Sequence, residues 1–363
     1  MQKIISNLPF SNKALHYIPK LNRMAVDYTF LPTESISLNS HSNLNPIPQN
    51  GDVFIYFPYY KKECLLSNSL EDRRKVGNFN KIIINTFNEG GICVNNVYHP
   101  EFLKKFTQEV SHRFKAKTIL LTQNQLAENG QDILYSNMAW GDYRFGSVKQ
   151  IKERYKFLYL NGYAREEKVR MINALYSRGL LNQALWSLLD IKDQSHNLHI
   201  HLKNQIPKKI PGDIISSRPA GENYPLINFI NQTLYKNTNF SLVQESEMQT
   251  FTNRYTEKTV KAILQRHPFI IAGNFNALKT LKHDGFKTFS PYINEEYDNI
   301  IDLDNRIDAI TREVERLCAM TKPSWSELKE RVKEILDYNY DHFFKKNQLH
   351  KKTFEDLIMH DPI

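Results

Sequence analysis

Residues 253–289 (NRYTEKTVKAILQRHPFIIAGNFNALKTLKHDGFKTF) constrain the fold most, because helix-like and strand-like patterns alternate within them. The pattern predicts a loop, a helix, a buried strand, a turn, a second helix and a short strand. Four charged residues lie at the start of the first helix: Arg254, Glu257, Lys258 and Lys261. Because the free N–H groups and dipole of a helix N-terminus attract anions, cations added there indicate a phosphate site. A charged loop at the C-terminal end of a strand is typical of α/β proteins that bind nucleotides.

The same alternation runs through most of the chain. Strands are predicted at DVFIYFPYY, KIIINTFNEGG, KTILLTQN and DILYSNMAWG, with a helix at HPEFLKKFTQEVSHRF. A second half begins near Tyr155 with the strand FLYLN, a polar turn and a helix, followed by the strands ALWSLLD and FSLVQES. Continuous apolar strands alternating with helices indicate parallel sheets covered on both faces. The predicted fold class is therefore α/β, with two Rossmann-like domains.

The domain boundaries follow from shifts in composition. We expect an irregular N-terminal segment at residues 1–50, which are rich in Asn, Ser and Pro. A first Rossmann-like domain is expected at 51–150 and a second at 151–320, followed by C-terminal amphipathic helices at 321–363.

Composition limits the setting and the partners. No run of about 18 apolar residues is present, so no membrane span is expected. The N-terminus lacks the apolar core of a secretory signal, and three scattered cysteines are too few for a disulfide framework, so a reducing cytoplasm is expected. The net charge of +9 favours a polyanionic partner such as nucleic acid. A cationic surface with a phosphate pocket is the alternative, and charge alone does not separate the two.

The segments SLVQESEMQTFTNRYTEKTVKAI and HPFIIAG carry a family resemblance. They resemble the donor-binding region of fucosyltransferase-like, GT-B-fold glycosyltransferases, and are more similar still to glycosyltransferase-like proteins of bacteriophages and other viruses. The matching pieces are Glu245, Thr256-Glu257-Lys258 and residues 268–273. The downstream GFKTFSPYINEEYD resembles a further motif of the phage group, with Asn294 and Glu296 where that group usually has Asp and Ser. The resemblance implies an N-terminal acceptor domain and a C-terminal donor domain that face each other across a cleft.

The resemblance also implies roles at the donor site. Glu257 would hold the nucleotide ribose and Lys258 the diphosphate of a UDP- or GDP-sugar, with no tightly bound metal or cofactor. The alternative is an ordinary surface pair such as Glu257–Lys261, which would add only about 0.3–0.5 kcal/mol. The candidate donor-binding residues are Asn161, Gly162, Arg165, Glu245, Arg254, Thr256, Glu257, Lys258 and Gly273.

The loop after FLYLN supplies the first three of these candidates. Gly162 is expected to allow a tight turn, and the planar guanidinium of Arg165 can donate two hydrogen bonds to one phosphate. Asn161 and Arg165 match an Asn-x-x-x-Arg element of the resembling phage proteins. Lys168 and Arg170 lie one turn further along. The alternative is a solvated helix start.

Sugar transfer with inversion needs a base that deprotonates the acceptor hydroxyl. The catalytic candidates are Glu89, which follows a strand beside two glycines, and then Asp142; His99 ranks third. Each has the alternative of being a plain loop residue. A triplet of histidines at 196, 199 and 201 has a metal-site interpretation, but a solvated hairpin explains it better because the ligand set is incomplete.

The predicted function is transfer of a sugar from a nucleotide-sugar to a hydroxyl acceptor. A hydroxylated base in double-stranded phage DNA is one acceptor that the charge and the phage resemblance favour. Glycans, lipids and proteins are the other acceptors. A non-catalytic nucleotide- or nucleic-acid-binding α/β protein is the alternative function, whereas a phosphotransferase would need a Gly-rich Lys-Ser/Thr loop that the chain lacks.

Overall fold

The computed structural model divides the chain into two compact units. The N-terminal unit comprises residues 1–141, 250–253 and 347–363, and the C-terminal unit comprises residues 142–249 and 254–346. The structure describes residues 2–6, 26–30, 51–56, 79–85, 107–108, 111–112, 115–122, 125, 132–135, 137, 143–147, 154–163, 165–190, 229–249 and 254–359.

A six-stranded parallel sheet forms the framework of the N-terminal unit, with strand order β2-β1-β3-β4-β5-β6. Its strands are β1 Gln2–Ser6, β2 Val26–Phe30, β3 Gly51–Tyr56, β4 Phe79–Asn85, β5 Lys117–Thr122 and β6 Ile133–Tyr135. Ile83 on β4 and Ile119 and Leu120 on β5 are fully buried, as the apolar runs predict. The first two strands lie within residues 1–50, where irregular structure was expected. The QKIIS and VDYTF segments are only five residues long and contain polar residues themselves, so that their pattern gave only a weak strand signal.

The C-terminal unit contains a second parallel sheet, with order β12-β11-β8-β9. Its strands are β8 Tyr155–Tyr163, β9 Ala184–Asp190, β11 Thr238–Gln244 and β12 Phe269–Ala272. Two short strands, β7 Arg144–Gly146 and β10 Phe229–Asn231, pair separately. The chain moves from β8 to its neighbour β9, and then returns to place β11 on the other side of β8. The predicted α/β class with two Rossmann-like parallel sheets is thus confirmed.

Helices follow the strands of the C-terminal unit. Their bounds are α1 Glu166–Ser177, α2 Gln232–Lys236, α3 Glu257–Leu264, α4 Ala277–His283, α5 Leu303–Ala319, α6 Lys322–Arg331 and α7 Lys333–Met359. The apolar faces of α1 and α3 are buried, as the periodicity predicts, with Ile172 and Val260 at 0% exposure. Among the helices that the structure describes, none is long and apolar enough to cross a membrane.

Three local predictions were wrong. PLINFINQTLYK was expected to be one helix, but it holds β10 and then α2, where the Asn231 side chain caps the helix by accepting the Thr233 N–H at 3.1 Å. GFKTF was expected to be a strand, but residues 285–289 form none; the Glu295 carboxylate accepts the Phe289 N–H at 2.6 Å instead. The last predicted helix is divided at Val332 into α6 and α7.

Candidate functional site

The candidate site lies where the strands of the C-terminal sheet end. Because β8, β9, β11 and β12 are all parallel, their carboxyl ends lie at one edge of the sheet. The loops after β8 and β11 leave this edge in opposite directions, since β9 lies on one side of β8 and β11 on the other. Open α/β sheets bind ligands at such a switch point. We call the polar residues gathered here, Asn161, Arg165, Lys168, Glu245, Ser246, Thr256, Glu257 and Lys258, the edge cluster.

Glu245, the first residue after β11, organises the loop that leads into α3. Its carboxylate is 4% exposed. One oxygen accepts the Thr256 N–H at 3.0 Å and the Thr259 hydroxyl at 2.6 Å, and the other accepts the Thr256 hydroxyl at 2.5 Å. The carboxylate therefore lies against the positive end of α3 and satisfies donors that the helix itself leaves free. Its geometry is that of a positioning residue for the Thr256-Glu257-Lys258 motif.

Lys258 lies at the centre of the edge cluster. Its Nζ donates to the Thr256 hydroxyl at 3.0 Å and the Ser246 hydroxyl at 3.2 Å, and forms an ion pair with Glu257 at 3.1 Å. Burial alone would lower the pKa of Lys258, but the Glu257 and Glu245 carboxylates outweigh it and raise the pKa. Burial would likewise raise the pKa of Glu257, but Lys258 and Lys261 lower it. Both groups of this motif are therefore ionised at neutral pH.

Arg165 connects the two loops across the switch point. It is the N-cap residue of α1, and its Nη1 donates to the main-chain carbonyl of Ser246 at 2.7 Å. Ser246 in turn accepts from Lys258 through its hydroxyl. Arg165 and Lys258, the two cations predicted to bind a diphosphate, therefore both contact Ser246, although they are far apart in sequence.

Lys168 was singled out only weakly by sequence, yet it is buried in the same place. It lies three residues after Arg165 in α1 and is 5% exposed. Burial, followed by the positive charges of Lys258 and Arg165, lowers the pKa of Lys168 to about 8, against the opposing effect of Glu245 and Glu257. The i, i+3 spacing from Arg165 was the available signal, because such residues share a helix face.

The other donor candidates have varied surroundings. Asn161 is 2% exposed and lies close to the Tyr159 hydroxyl, but neither atom of its side-chain amide has hydrogen-bond geometry to a described residue. Gly162 is part of β8 without a positive φ, so the tight turn expected there was wrong. Arg254 forms hydrogen bonds to the Glu247 carboxylate at 2.7 and 3.2 Å.

Gly273 ends β12 beside the edge cluster. A Cβ at this position would lie 3.1 Å from the Ala277 Cβ and 3.6 Å from the Glu245 Cγ. The glycine thus lets α4 start close to the strand and close to Glu245.

The structure does not describe the residues predicted for acid–base and metal chemistry. Glu89, Asp142 and His99 lie outside the described residues, as do the histidines at 196, 199 and 201. Within the part of the chain that the structure describes, no group of three or more His, Cys, Asp or Glu side chains could hold a metal ion.

A buried arginine of α5 also holds the residues that follow β11. Arg306 of α5 donates to the main-chain carbonyls of Met248, Ile300 and Ile301, the last at 2.9 Å. The guanidinium thereby holds the residues that follow Ser246 without belonging to the edge cluster.

The chain is similar to solved structures of glycosyltransferases, whereas no family model and no curated protein matches it. A crystal structure of an α1,3-fucosyltransferase shares 13% identity at a TM-score of 0.44, covering 100% of this chain and 92% of that one. A structure of α1,3-fucosyltransferase with GDP-fucose shares 11% identity at 0.45, covering 100% and 91%. The glycotransferase of kitacinnamycin shares 10% identity at 0.40, covering 97% and 98%. The solved structures to which the chain is similar are thus glycosyltransferases, and the resemblance to the phage group stays a prediction.

Proposed function

We propose that the edge cluster binds the diphosphate of a nucleotide-sugar and that the protein is a glycosyltransferase. One observation carries the proposal: Arg165 and Lys258, from the loops on either side of the switch point, both contact Ser246. Two cations fixed at the starts of two helices form a site that attracts phosphate groups.

The chemistry of sugar transfer fits these groups. The acceptor oxygen attacks the anomeric carbon, the bond from that carbon to the phosphate oxygen breaks, and a nucleoside diphosphate leaves with the bonding electrons. Cations placed in advance stabilise the charge that develops on the leaving oxygen. Lys258 and Arg165 have this role, and the ionised Glu257 accepts hydrogen bonds from the ribose hydroxyls. We assign the acceptor proton to a carboxylate, Glu89 or Asp142, in a direct displacement with inversion.

Donor binding is tested first by thermal denaturation with UDP-, GDP-, CMP- and TDP-sugars. A donor at 100 times its dissociation constant should stabilise the protein by about 2.7 kcal/mol. Lys258→Ala should abolish that shift at the same donor concentration, because it removes a charge at the centre of the edge cluster. Lys333→Ala is the matched control, since Lys333 is an exposed lysine paired with Asp337 on α7. The donor proposal fails if no nucleotide-sugar shifts the wild type, or if Lys258→Ala responds as the wild type does.

The acceptor we propose is DNA, because the net charge of +9 favours a polyanion. A duplex substrate would present a hydroxylated base only after that base leaves the stack. Consumption of the donor should then require modified duplex and fall steeply with salt, because bound phosphates release counterions. Equal consumption without DNA would assign the acceptor to a glycan, lipid or protein. Donor binding with no turnover on any acceptor class would instead favour a non-catalytic nucleotide-binding protein.

A further inference from the structure

Lys168 is a largely buried cation of the edge cluster. Its side chain is 5% exposed, and within the described residues it has neither a hydrogen bond nor an ion pair. Burying an unpaired charge is costly, and proteins normally avoid it by pairing the charge or by using an apolar residue. A methionine would fill the same space without that cost.

The neighbouring charges do not compensate Lys168. Arg165 and Lys258 repel it, while Glu245 and Glu257 attract it. Both carboxylates are already engaged, however, because Glu245 accepts three hydrogen bonds at the start of α3 and Glu257 pairs with Lys258. Two acidic residues, Glu166 and Glu167, lie in the first turn of α1. Glu166 is turned toward Arg170, 3.3 Å away, and no ion pair joins Glu167 to Lys168 among the described residues. Lys168 therefore lies among excess positive charge.

Lys81 shows how this chain treats a buried lysine elsewhere. It is also 5% exposed, but its Nζ donates to the Leu357 carbonyl at 3.0 Å, so that its ammonium is satisfied. Lys168 has no such acceptor among the described residues, which indicates that an anionic ligand completes the site.

We infer that Lys168 is a third phosphate-binding residue of the edge cluster and gives it selectivity for diphosphates over monophosphates. The inference rests on the proposed function and identifies the residue that determines its donor class. Arg165 and Lys258 suffice for one phosphate group, and the second phosphate supplies the counter-charge that Lys168 lacks.

The test compares the wild type with Lys168→Met, using the full chain and isothermal titration calorimetry with UDP, GDP, UMP and GMP. Loss of one charge-assisted hydrogen bond should weaken diphosphate binding about 10- to 100-fold, because such a bond is worth about 1.5–3 kcal/mol. Monophosphate binding should change much less. The ligand-free variant should melt at the same or a higher temperature, because an unpaired charge has been removed. Lys333→Met, at an exposed position of α7, should leave affinities and melting unchanged.

The outcomes separate this inference from the proposed function. If neither UDP nor GDP binds the wild type, the proposed function fails and the inference fails with it. If diphosphates bind both proteins equally, Lys168 is not a ligand although the function stands. A variant that melts lower and loses both ligand classes alike would make Lys168 a structural residue. A measurement on the wild type does not depend on how the variant folds. Diphosphate binding at about pH 8.5 should take up protons, which titrations in buffers of different ionisation enthalpy detect. An absence of proton uptake overturns the inference.

Discussion

The starts of α1 and α4, at the same edge of one sheet, are treated in opposite ways. At α4 the chain supplies its own carboxylate: Asp298 accepts the N–H groups of Leu278 and Lys279 at 2.9 and 3.3 Å. At α1 the N-cap residue is Arg165, no side chain caps the helix, and Lys168 is buried in the first turn. Every helix N-terminus favours a negative charge. The difference teaches that the protein supplies a carboxylate from another segment at α4, whereas at α1, where a ligand is proposed, the first turn holds Glu166 and Glu167 together with the buried Lys168.

The start of α3 combines the two cases, because the Glu245 carboxylate and the cation Lys258 both lie there. A substitution of Glu245 therefore tests the comparison most strongly. Glu245→Ala should remove three hydrogen bonds to a buried carboxylate, two of them from Thr256, and destabilise the C-terminal unit by about 3–5 kcal/mol. Urea denaturation should show a lower midpoint at an unchanged slope. The isosteric Glu245→Gln should lose less, because one oxygen still accepts. Equal stability of wild type and Glu245→Ala would contradict the positioning role.

Asp298 tests the start of α4, where the chain supplies its own carboxylate. Asp298→Ala should destabilise the protein by about 1–2 kcal/mol, because it leaves two N–H groups of α4 without their acceptor. Thermal denaturation measures the loss, and Asp298→Asn is the control that keeps one acceptor oxygen. Nucleoside diphosphate affinity, measured on the folded variant, should not change. A gain of phosphate binding at α4 would show that a free helix end suffices and that the cations are dispensable.

The pH dependence of diphosphate binding tests the start of α1, where Lys168 lies. It has the smallest expected effect on binding. The pKa of Lys168 is about 8 before a ligand arrives, and a bound diphosphate should raise it well above 9. Diphosphate affinity should therefore fall by about tenfold between pH 7 and pH 9, as Lys168 loses its proton in the free protein. Calorimetric titrations across this range measure the fall. Lys168→Met should flatten it, and a slope that persists in the variant would assign the effect to Lys261, whose pKa is also lowered to about 8.

The same group affects the stability of the free protein, with a sign that follows from linkage. Between about pH 8 and 10.4 the unfolded chain holds a proton on Lys168 that the folded chain has lost. The contribution of Lys168 to the free energy of unfolding should therefore rise with pH through this window. Lys168→Met should remove that rise, which comparison of the two unfolding curves would detect.

The sequence predicted the parts of the site that local pattern determines. A strand ending at Glu245 and a helix beginning after Thr256 follow from apolar runs and capping chemistry, so both residues were identified and both lie at the sheet edge. Lys168 was ranked low because EEKVR looks like a solvated helix start, and burial of its lysine depends on how α1 packs. Conversely, Gly162 was assigned to a turn because the strand was expected to end earlier than it does. Tertiary packing, which a single sequence does not specify, decided these two cases.

The contact of Arg165 with the main-chain carbonyl of Ser246 has a consequence for substitutions at position 246. Every amino acid presents a carbonyl, so that this bond survives whatever side chain occupies position 246. The Lys258 bond, in contrast, uses the Ser246 hydroxyl and is lost with it. Substitution at position 246 should therefore remove the Lys258 contact and keep the Arg165 contact, so that the connection between the two loops tolerates a change of side chain there.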